Sequence, residues 1–173
     1  MIKNNRANGA EEEVAPFVRK DQKEKELAIM EFNIKNGVLV SYKRSKNEKK
    51  VVIPDGVIEI VCGAFADDAE LKDIIIPDSV RKIGDNAFSG CTGLEHIVIP
   101  DNVKEIWWEA FRGCTGLKKV TLPHKLKIVS EKMFYGCTGL MDIVIPKGTM
   151  AIGNSAFEDC KNLNDITLTN SIT

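Results

Sequence analysis

The sequence predicts a mainly β repeat solenoid, and three periodic residue types lead to this fold class. Proline, phenylalanine and leucine each recur every 23 residues through most of the chain. They occupy the positions Pro54, Pro77, Pro100, Pro123 and Pro146; Phe65, Phe88, Phe111, Phe134 and Phe157; and Leu71, Leu94, Leu117, Leu140 and Leu163. A period of this length is typical of stacked repeats, because one unit cannot bury its apolar side alone. We therefore predict five 23-residue repeats, and the start of a sixth, over residues 54–173.

Each repeat contains one short β-branched run that predicts a strand. The runs are Ile74–Ile76, Ile97–Ile99, Val120–Leu122, Ile143–Ile145 and Ile166–Leu168. Alternation along a strand points the first and third residues of each run inward and the middle residue outward. Proline, which cannot donate a backbone hydrogen bond, ends every run except the last. Because a whole repeat separates successive runs, the strands must lie parallel.

The rest of each repeat predicts shorter features. Val80 and Ile83, with their equivalents in the other repeats, indicate a second short extended segment. The segment 85–88 (Asp-Asn-Ala-Phe) predicts a brief helical or 3-10 turn, with Asp85 near its cap position. The small residues of 90–93 then form a turn that returns the chain to the next strand. We therefore predict short helical or 3-10 turns on the side of the solenoid opposite the parallel strands.

Both ends of the chain depart from the repeat. Residues 32–53 predict a β-hairpin cap, because apolar alternation flanks the Asn36-Gly37 pair, a strong hairpin signal. Residues 1–31 form a charge-dense, non-repeating leader, which is either mobile or partly helical, or a helix docked on the open end of the solenoid. At the other end, residues 169–172 begin a sixth repeat. The open final coil predicts either a longer array or self-association that buries Ile172.

The repeats share an aligned pattern that reads Leu-x-x-Ile-x-Ile-Pro, then Ile-Gly and Ala-Phe-x-x-Cys, over residues 51–173. This pattern resembles the bacterial BspA-like, or treponemal-type, leucine-rich repeats. The resemblance implies a right-handed leucine-rich-repeat horseshoe with a concave parallel-strand surface. It also implies adhesion and protein binding, usually within a larger bacterial cell-surface protein. It implies no catalytic residues and no cofactor.

Composition excludes several functional classes. The 24 Lys and Arg residues nearly balance the 25 Asp and Glu residues, so no overall charge favours a polyanion. The basic segment 43–50 has no accompanying stacking platform or recognition helix, and we interpret it as a solvated loop rather than a nucleic-acid site. No apolar run is long enough to cross a membrane, and the first thirty residues lack the apolar stretch of an export signal. The sequence alone thus favours the cytoplasm, whereas the resemblance favours the cell surface.

Four of the five cysteines share one repeat position, and Cys62 does not. The four are Cys91, Cys114, Cys137 and Cys160. They follow a turn of small residues, where a stacked core favours a compact apolar group, so we predict a buried ladder of reduced thiols. A zinc site is not predicted, because no Cys-x-x-Cys pair exists and His96 and His124 have no partner histidine at ligand spacing. Cys62 occupies a generally polar position and predicts an exposed thiol.

The strand residues that point outward form the main candidate binding surface. They are Ile75, Val98, Thr121, Val144 and Thr167, and His96 and Lys119 flank them. Solenoids commonly bind partners on such extended sheets, although β-branched residues also stabilise strands without a partner. Trp107 and Trp108 replace the residues that are Gly84 and Asp85 in the preceding repeat. They either pack flat over the edge of the stack or anchor a partner.

No catalytic constellation accompanies the repeat. The recurring positions are apolar, the polar positions vary in sign, and no phosphate-binding loop, nucleophile with its base, or acid pair recurs. We therefore predict a non-enzymatic, adhesion-like protein-binding module that uses the concave parallel-strand surface. The alternative is a structural or self-assembling segment that stacks through its open ends. The predicted partner is a protein, with no nucleic acid and no membrane insertion.

Overall fold

The computed structural model of the chain is a β-solenoid of about six coils. It describes residues 31–44 and 48–169, so residues 1–30 of the predicted 1–31 leader and the predicted burial of Ile172 lie outside the described residues. Part of the predicted basic loop, 45–47, lies outside them too. Strands are the regular secondary structure of the described ranges, and nearly all of their pairings are parallel. The predicted solenoid with parallel strands is confirmed.

Thirteen strands are present among the described residues. They are β1 (Glu31–Lys35), β2 (Val38–Lys43), β3 (Lys50–Val52), β4 (Glu59–Ile60), β5 (Asp73–Ile75), β6 (Lys82–Ile83), β7 (His96–Val98), β8 (Glu105–Ile106), β9 (Lys119–Thr121), β10 (Ile128–Val129), β11 (Asp142–Ile145), β12 (Ala151–Ile152) and β13 (Asp165–Leu168). From β3 onward, long and short strands alternate along the chain. Each coil therefore contributes one strand of each kind.

The two kinds of strand build two sides of the solenoid. The long strands β3, β5, β7, β9, β11 and β13 follow one another on one side, which we call the long-strand face, and Ile97 pairs there with Val120 in parallel register. The short strands β4, β6, β8, β10 and β12 build the short-strand face, where Ile60, Ile83 and Ile106 pair in register. The second extended segment of each repeat thus forms as predicted.

An antiparallel hairpin precedes the coils. β1 and β2 pair around Asn36 and Gly37, whose φ angles of 51° and 77° lie in the left-handed region that such a turn requires. β2 also pairs in parallel with β4, which joins the hairpin to the short-strand face. The sequence groups Val51 with the hairpin, whereas the structure places it in β3, beside β5. The reason is the repeat, since Val51 lies one period before Ile74 and takes the same place in the preceding coil.

The predicted helical or 3-10 turns do not form within the described residues, where a succession of tight turns takes their place. Two positions of this segment have left-handed φ angles in each coil, as Asn86 does at 54°. A right-handed helix cannot continue through such residues. Backbone N–H groups alternate instead between a bond within the coil, from Ala87 to Gly84 O at 3.3 Å, and a bond to the next coil, from Phe88 to Ala110 O at 2.8 Å. We call this third side the turn side.

The three sides enclose one apolar core. On the long strands the predicted alternation is confirmed, because Ile74 and Ile76 are buried and Ile75 is exposed. Phenylalanines of the turn side stack along the core, Phe88 and Phe111 with ring centroids 5.3 Å apart and planes only 2° from parallel. Burial is incomplete in the last described coil, where all four residues of β13 are exposed. Each coil thus buries its apolar side against its neighbours, as a stacked repeat requires.

The four cysteines of the shared repeat position form the predicted buried ladder. Each thiol donates to the carbonyl oxygen of the phenylalanine in the preceding coil, as Cys91 does to Phe65 and Cys114 to Phe88, both at 3.0 Å. Burial raises the pKa of Cys91 to about 12, which keeps this thiol protonated and unreactive. Cys62 is exposed, as predicted, and all five cysteines are free. The cysteine ladder is therefore a structural part of the core.

Candidate functional site

The predicted outward-facing residues form one column on the long-strand face, which we call the strand column. Its members are Ile75, Val98, Thr121, Val144 and Thr167, and all five are exposed. Strand register holds them in line, because Val98 pairs with Thr121 and Val144 with Thr167. Val98, the second of the five, is 64% exposed. β-branched side chains have few rotamers, so ordering this row of side chains on binding costs little conformational entropy.

Charged side chains flank the strand column in a graded order. Toward the N-terminal end, Lys50 and Asp73 neutralise each other in an ion pair of 2.7 Å. In the middle, His96 and Lys119 are register partners on neighbouring strands, and both are exposed. Further along, Asp142 faces a second aspartate in the register of the last strand pair. The flank is therefore cationic near the centre and anionic toward the last described coil.

Trp107 and Trp108 lie away from the strand column, directly after β8 on the short-strand face. Trp107 is 41% exposed, its Nε1 donates to Glu105 at 3.1 Å, and Lys82 Nζ lies 4.0 Å from its ring centroid. Trp108 is 65% exposed, and its backbone N–H donates to Asp85 Oδ1 at 3.0 Å. Neither ring belongs to the core. The structure therefore brings the outward strand residues together but places the two tryptophans on a different face.

The two tryptophans border a cleft of about 580 Å³, which we call the tryptophan cleft. Ile128 of β10 adds a third exposed apolar side chain, and Lys104 and Lys127 add two cations. Sequence reasoning missed these three residues. A signal existed for Ile128, because the same repeat position holds Lys82 and Glu105 in the two preceding coils. Aligning the repeats therefore shows an apolar residue at a position that is charged in the two preceding coils.

Exposed ion pairs join equivalent loops of adjacent coils near these surfaces. Lys118 Nζ donates to Glu95 at 2.7 Å, and this contact lowers the pKa of Glu95. The backbone N–H of His124 donates to Asp101 at 2.9 Å, its ring Nδ1 lies 2.8 Å from the same carboxylate, and both contacts lower the pKa of Asp101. Such exposed pairs help to align coils but contribute little stability.

The described residues form neither a metal cluster nor a membrane-spanning helix. Within residues 31–44 and 48–169, no group of three or more His, Cys, Asp or Glu side chains could hold a metal ion. Over the same ranges, no helix has the length and apolar character needed to cross a membrane. The strand column and the tryptophan cleft thus remain the candidate surfaces, and both offer apolar and ionic contacts.

Comparison with known proteins finds one matching repeat family. The family model described as BspA type leucine rich repeat region matches residues 40–164 in six copies. The crystal structure of the T. pallidum leucine-rich repeat protein TpLRR is similar with a TM-score of 0.72 and 32% sequence identity, covering 83% of this chain and 71% of that chain. None of the curated proteins is significantly similar to the chain in sequence.

Two further crystal structures share the fold but belong to longer proteins. A leucine-rich repeat protein from Eubacterium ventriosum has a TM-score of 0.70 and 29% identity, covering 80% of this chain and 37% of that chain. The pneumococcal vaccine antigen PcpA has a TM-score of 0.69 and 24% identity, covering 82% of this chain and 35% of that chain, and shows the fold alone. This chain therefore spans little more than a third of the length of these two proteins.

Proposed function

Because the chain belongs to the BspA-type leucine-rich repeat family, whose members are generally protein-interaction modules, we propose that it binds a protein partner through the strand column. The observation that carries this proposal is the row of exposed β-branched side chains on the long-strand face, among which Val98 is 64% exposed. The role we propose is non-enzymatic and adhesion-like. We place it within a larger surface protein, in keeping with the greater length of the E. ventriosum relative.

The dimensions of the strand column suit a protein partner. Neighbouring strands lie about 4.8 Å apart, so a column that crosses five coils is about 20 Å long. Ile75, His96 and Val98 border a shallow depression of about 360 Å³, which can receive a side chain from the partner. An apolar centre with a polar rim is the usual anatomy of a protein interface. The strand column and its flanking charges have this arrangement.

The flanking charges would orient the partner. Lys119 lies beside the middle of the strand column, whereas Asp142 and Asp165 lie beside its far end. A partner with acidic groups opposite Lys119 and basic groups opposite the aspartates would match this order. Electrostatic complementarity of this kind contributes mainly to orientation and to the association rate.

Cross-linked capture by the full chain from a lysate of the source cells tests the strand column. Val98→Asp combined with Val144→Asp places two charges in the apolar centre and is expected to abolish capture, because a buried unpaired charge is costly. Ile58→Asp is the matched control, since Ile58 is equally an exposed apolar residue but lies just before β4. Capture that is equal for the double variant and the unmodified chain, at unchanged Tm, would show that the strand column does not bind.

A second candidate function is self-assembly through the last described coil. Ile166 and Leu168 of β13 are exposed, and within residues 31–44 and 48–169 the outer edge of β13 pairs with no further strand. An apolar strand edge of this kind is a template for another chain. If copies stack there, light scattering is expected to show a mass that rises with concentration, and Leu168→Lys is expected to suppress the rise. A constant monomer mass contradicts this candidate.

A further inference from the structure

We propose that the segment of the partner protein that the strand column binds is an amphipathic α-helix, which lies across the long strands and follows the column from coil to coil. This inference rests on the proposed function and names the structure and the charge of the segment that this site takes. Three observations carry it: the shape of the strand column, the spacing of its side chains, and the order of the charges beside it.

The strand column is long in one direction and one side chain wide in the other. It crosses five coils, a length of about 20 Å, whereas the long strands contain only three or four residues each. Exposed charged residues border Val144 on both sides, Asp142 two residues before it and Lys147 three residues after it. Asp73 and Asp78 likewise line the depression of about 360 Å³. A segment with one apolar stripe between polar sides therefore matches the column, and it must run across the strands.

An α-helix suits the face of a sheet better than an extended peptide does. The strand column lies on a face, where side chains are presented, whereas free backbone groups are available at a sheet edge. An extended peptide laid across this face would cover its own N–H and C=O groups without giving them backbone partners, which is costly. A helix satisfies these groups within itself. The partner segment is therefore expected to be helical.

The spacing of the column also matches a helix. Neighbouring strands lie about 4.8 Å apart, and a helix advances about 5.4 Å per turn, so a helix along the column places about one side chain against each coil. Side chains on one side of an extended peptide lie about 6.6 Å apart, and successive ones fall alternately on a coil and between two coils. Val98 and Val144, which are two coils apart and 64% and 52% exposed, are each expected to contact one turn of the helix.

The charges beside the far half of the column fix the polar side of the helix. Lys119, Asp142 and Asp165 follow one another in three adjacent coils. Among the residues that the structure describes, Lys119 and Asp142 make no ion pair or side-chain hydrogen bond. The carboxylate of Asp165 accepts a hydrogen bond from the Thr167 hydroxyl at 3.0 Å, a neutral donor that leaves the negative charge in place. Along the column this flank is thus cationic once and then anionic twice.

A helix can match this order of charges on one of its sides. Residues i, i+4 and i+7 lie on the same side, the second and third about 6.0 and 10.5 Å along the axis from the first, and the charges of the flank are spaced at about 4.8 and 9.6 Å. We expect a glutamate opposite Lys119 and a lysine or arginine one turn and two turns further along. The opposite border of the column carries both signs, because Asp101 lies 2.8 Å from His124 Nδ1 and Lys147 follows in the next coil. Uncharged polar residues suit that side of the helix.

Two fluorescein-labelled peptides test the proposal by fluorescence anisotropy with the full chain. The first is Gln-Leu-Glu-Ala-Gln-Leu-Glu-Gln-Leu-Lys-Ala-Gln-Leu-Lys-Gln-Leu-Lys-Ala, and the second is Glu-Leu-Gln-Ala-Glu-Leu-Gln-Lys-Leu-Gln-Ala-Lys-Leu-Gln-Lys-Leu-Gln-Ala. Both have the same composition and the same leucine stripe, but their charged residues lie on opposite sides of that stripe. Turning a helix end for end exchanges its sides and reverses the order of its charges, so only one of the two can match the flank. We expect one peptide to bind about fivefold or more tightly than the other.

Changes in the chain and in the peptide identify the contacts. Asp142→Asn with Asp165→Asn removes the anionic part of the flank and is expected to abolish the difference between the two peptides. The matched control, Glu158→Gln with Asp159→Asn, removes the same charge from exposed residues of the turn side and is expected to preserve the difference. Proline in place of the second alanine of the tighter peptide interrupts the helix on the side away from the leucines, and it is expected to weaken binding about tenfold or more.

Three results would overturn the proposal: equal binding of the two peptides, unchanged binding of the peptide that contains proline, or a difference between the peptides that persists in Asp142→Asn with Asp165→Asn. The second result would identify an extended segment as the ligand. Loss of lysate capture in Val98→Asp with Val144→Asp, together with no binding of either peptide, would retain the proposed function and reject the helix. Failure of this proposal is therefore distinguishable from failure of the proposed function.

Discussion

Phe111 is enclosed between two other phenylalanine rings, with centroids 5.3 and 5.4 Å away, and it is fully buried. Phe111→Ala removes a ring that the coils on either side cannot move in to replace. We expect it to lower the free energy of unfolding by about 3–5 kcal/mol in urea denaturation. Phe157→Ala is the control, because Phe157 is partly exposed and has one phenylalanine neighbour, so its loss is expected to be smaller. A loss below about 1 kcal/mol for Phe111→Ala would contradict this packing.

Thiol reactivity is expected to separate Cys62 from the cysteine ladder. Burial raises the pKa of Cys91 and of Cys160 to about 12, whereas Cys62 is exposed. Because the thiolate is the reactive form, brief alkylation at mildly alkaline pH should label Cys62 first and leave the ladder unmodified. Mass spectrometry of the labelled peptides measures this, and Cys62→Ser should remove the fast reaction. Faster labelling of Cys91, or a disulfide within the ladder, would refute the assignment.

The burial of Phe111 and of the cysteine ladder was predictable, because these residues recur with the 23-residue period. Contacts made by residues outside the period were not predictable. Asp68 stands where the later coils have cysteine, and Arg44 Nε contacts it at 3.1 Å. Burial raises the pKa of Asp68, because desolvation disfavours the charged carboxylate. Arg44 comes from the hairpin and lies outside the period, so no spacing in the sequence connects the two residues. The same holds for Lys104, which makes no ion pair with the described residues, since this depends on where neighbouring side chains point.

Among the structural elements, the turn side is where sequence reasoning is wrong. A cap residue before Asn-Ala-Phe predicts a helical turn, yet the position after the cap is left-handed in every coil. That position holds Gly63, Asn86, Glu109, Lys132 and Ser155. Glycine and asparagine favour this conformation, but the other three residues do not indicate it. Hydrogen bonds to the next coil determine the left-handed conformation, and the local sequence does not show which hydrogen bonds will form.

Two glycines of one coil are glycine for different reasons, and alanine distinguishes them. Gly113 has a left-handed φ of 67° and nothing within 4 Å of an added Cβ, so Gly113→Ala is expected to cost only backbone strain, about 1–2 kcal/mol. Gly116 has no such φ, but an added Cβ would lie 2.3 Å from Thr92 O of the preceding coil. Gly116→Ala must separate two coils and is expected to destabilise the protein more than Gly113→Ala. Urea denaturation measures both losses, and a smaller loss for Gly116→Ala would contradict the close approach.

Across the whole molecule, the 23-residue period determines the fold, and departures from the period create the tryptophan cleft. The strand column was predictable, because alternation within each strand and register between strands both follow from the repeat. The cleft was not, since it needs Trp107 and Trp108 from one coil and Ile128 from the next. Each of these three residues differs visibly from its equivalents in the other repeats. That their side chains lie side by side follows only from the stacking of the coils.

The same dependence on neighbours predicts that stability falls toward the last described coil. Ile143 of β11 and Ile166 of β13 occupy the same repeat position, yet they are 1% and 39% exposed. Ile143→Ala is expected to lower the free energy of unfolding by about 2–5 kcal/mol, the usual cost of a cavity in a core. Ile166→Ala is expected to cost less than half as much in the same urea denaturation. Equal losses would contradict the nearest-neighbour account of the stack.

Amide hydrogen exchange tests this gradient without any substitution. The amides of β13 are expected to exchange faster than those of β11 and β9, because β13 has a neighbouring strand on one side among the described residues, whereas β11 has coils on both sides. If copies of the chain stack through this coil, protection of β13 rises with protein concentration while protection of β9 stays constant. Uniform protection of the amides from β9 to β13 at every concentration would contradict this gradient. It would mean that the last described coil is as stable as the others, although Ile166 and Leu168 are exposed there.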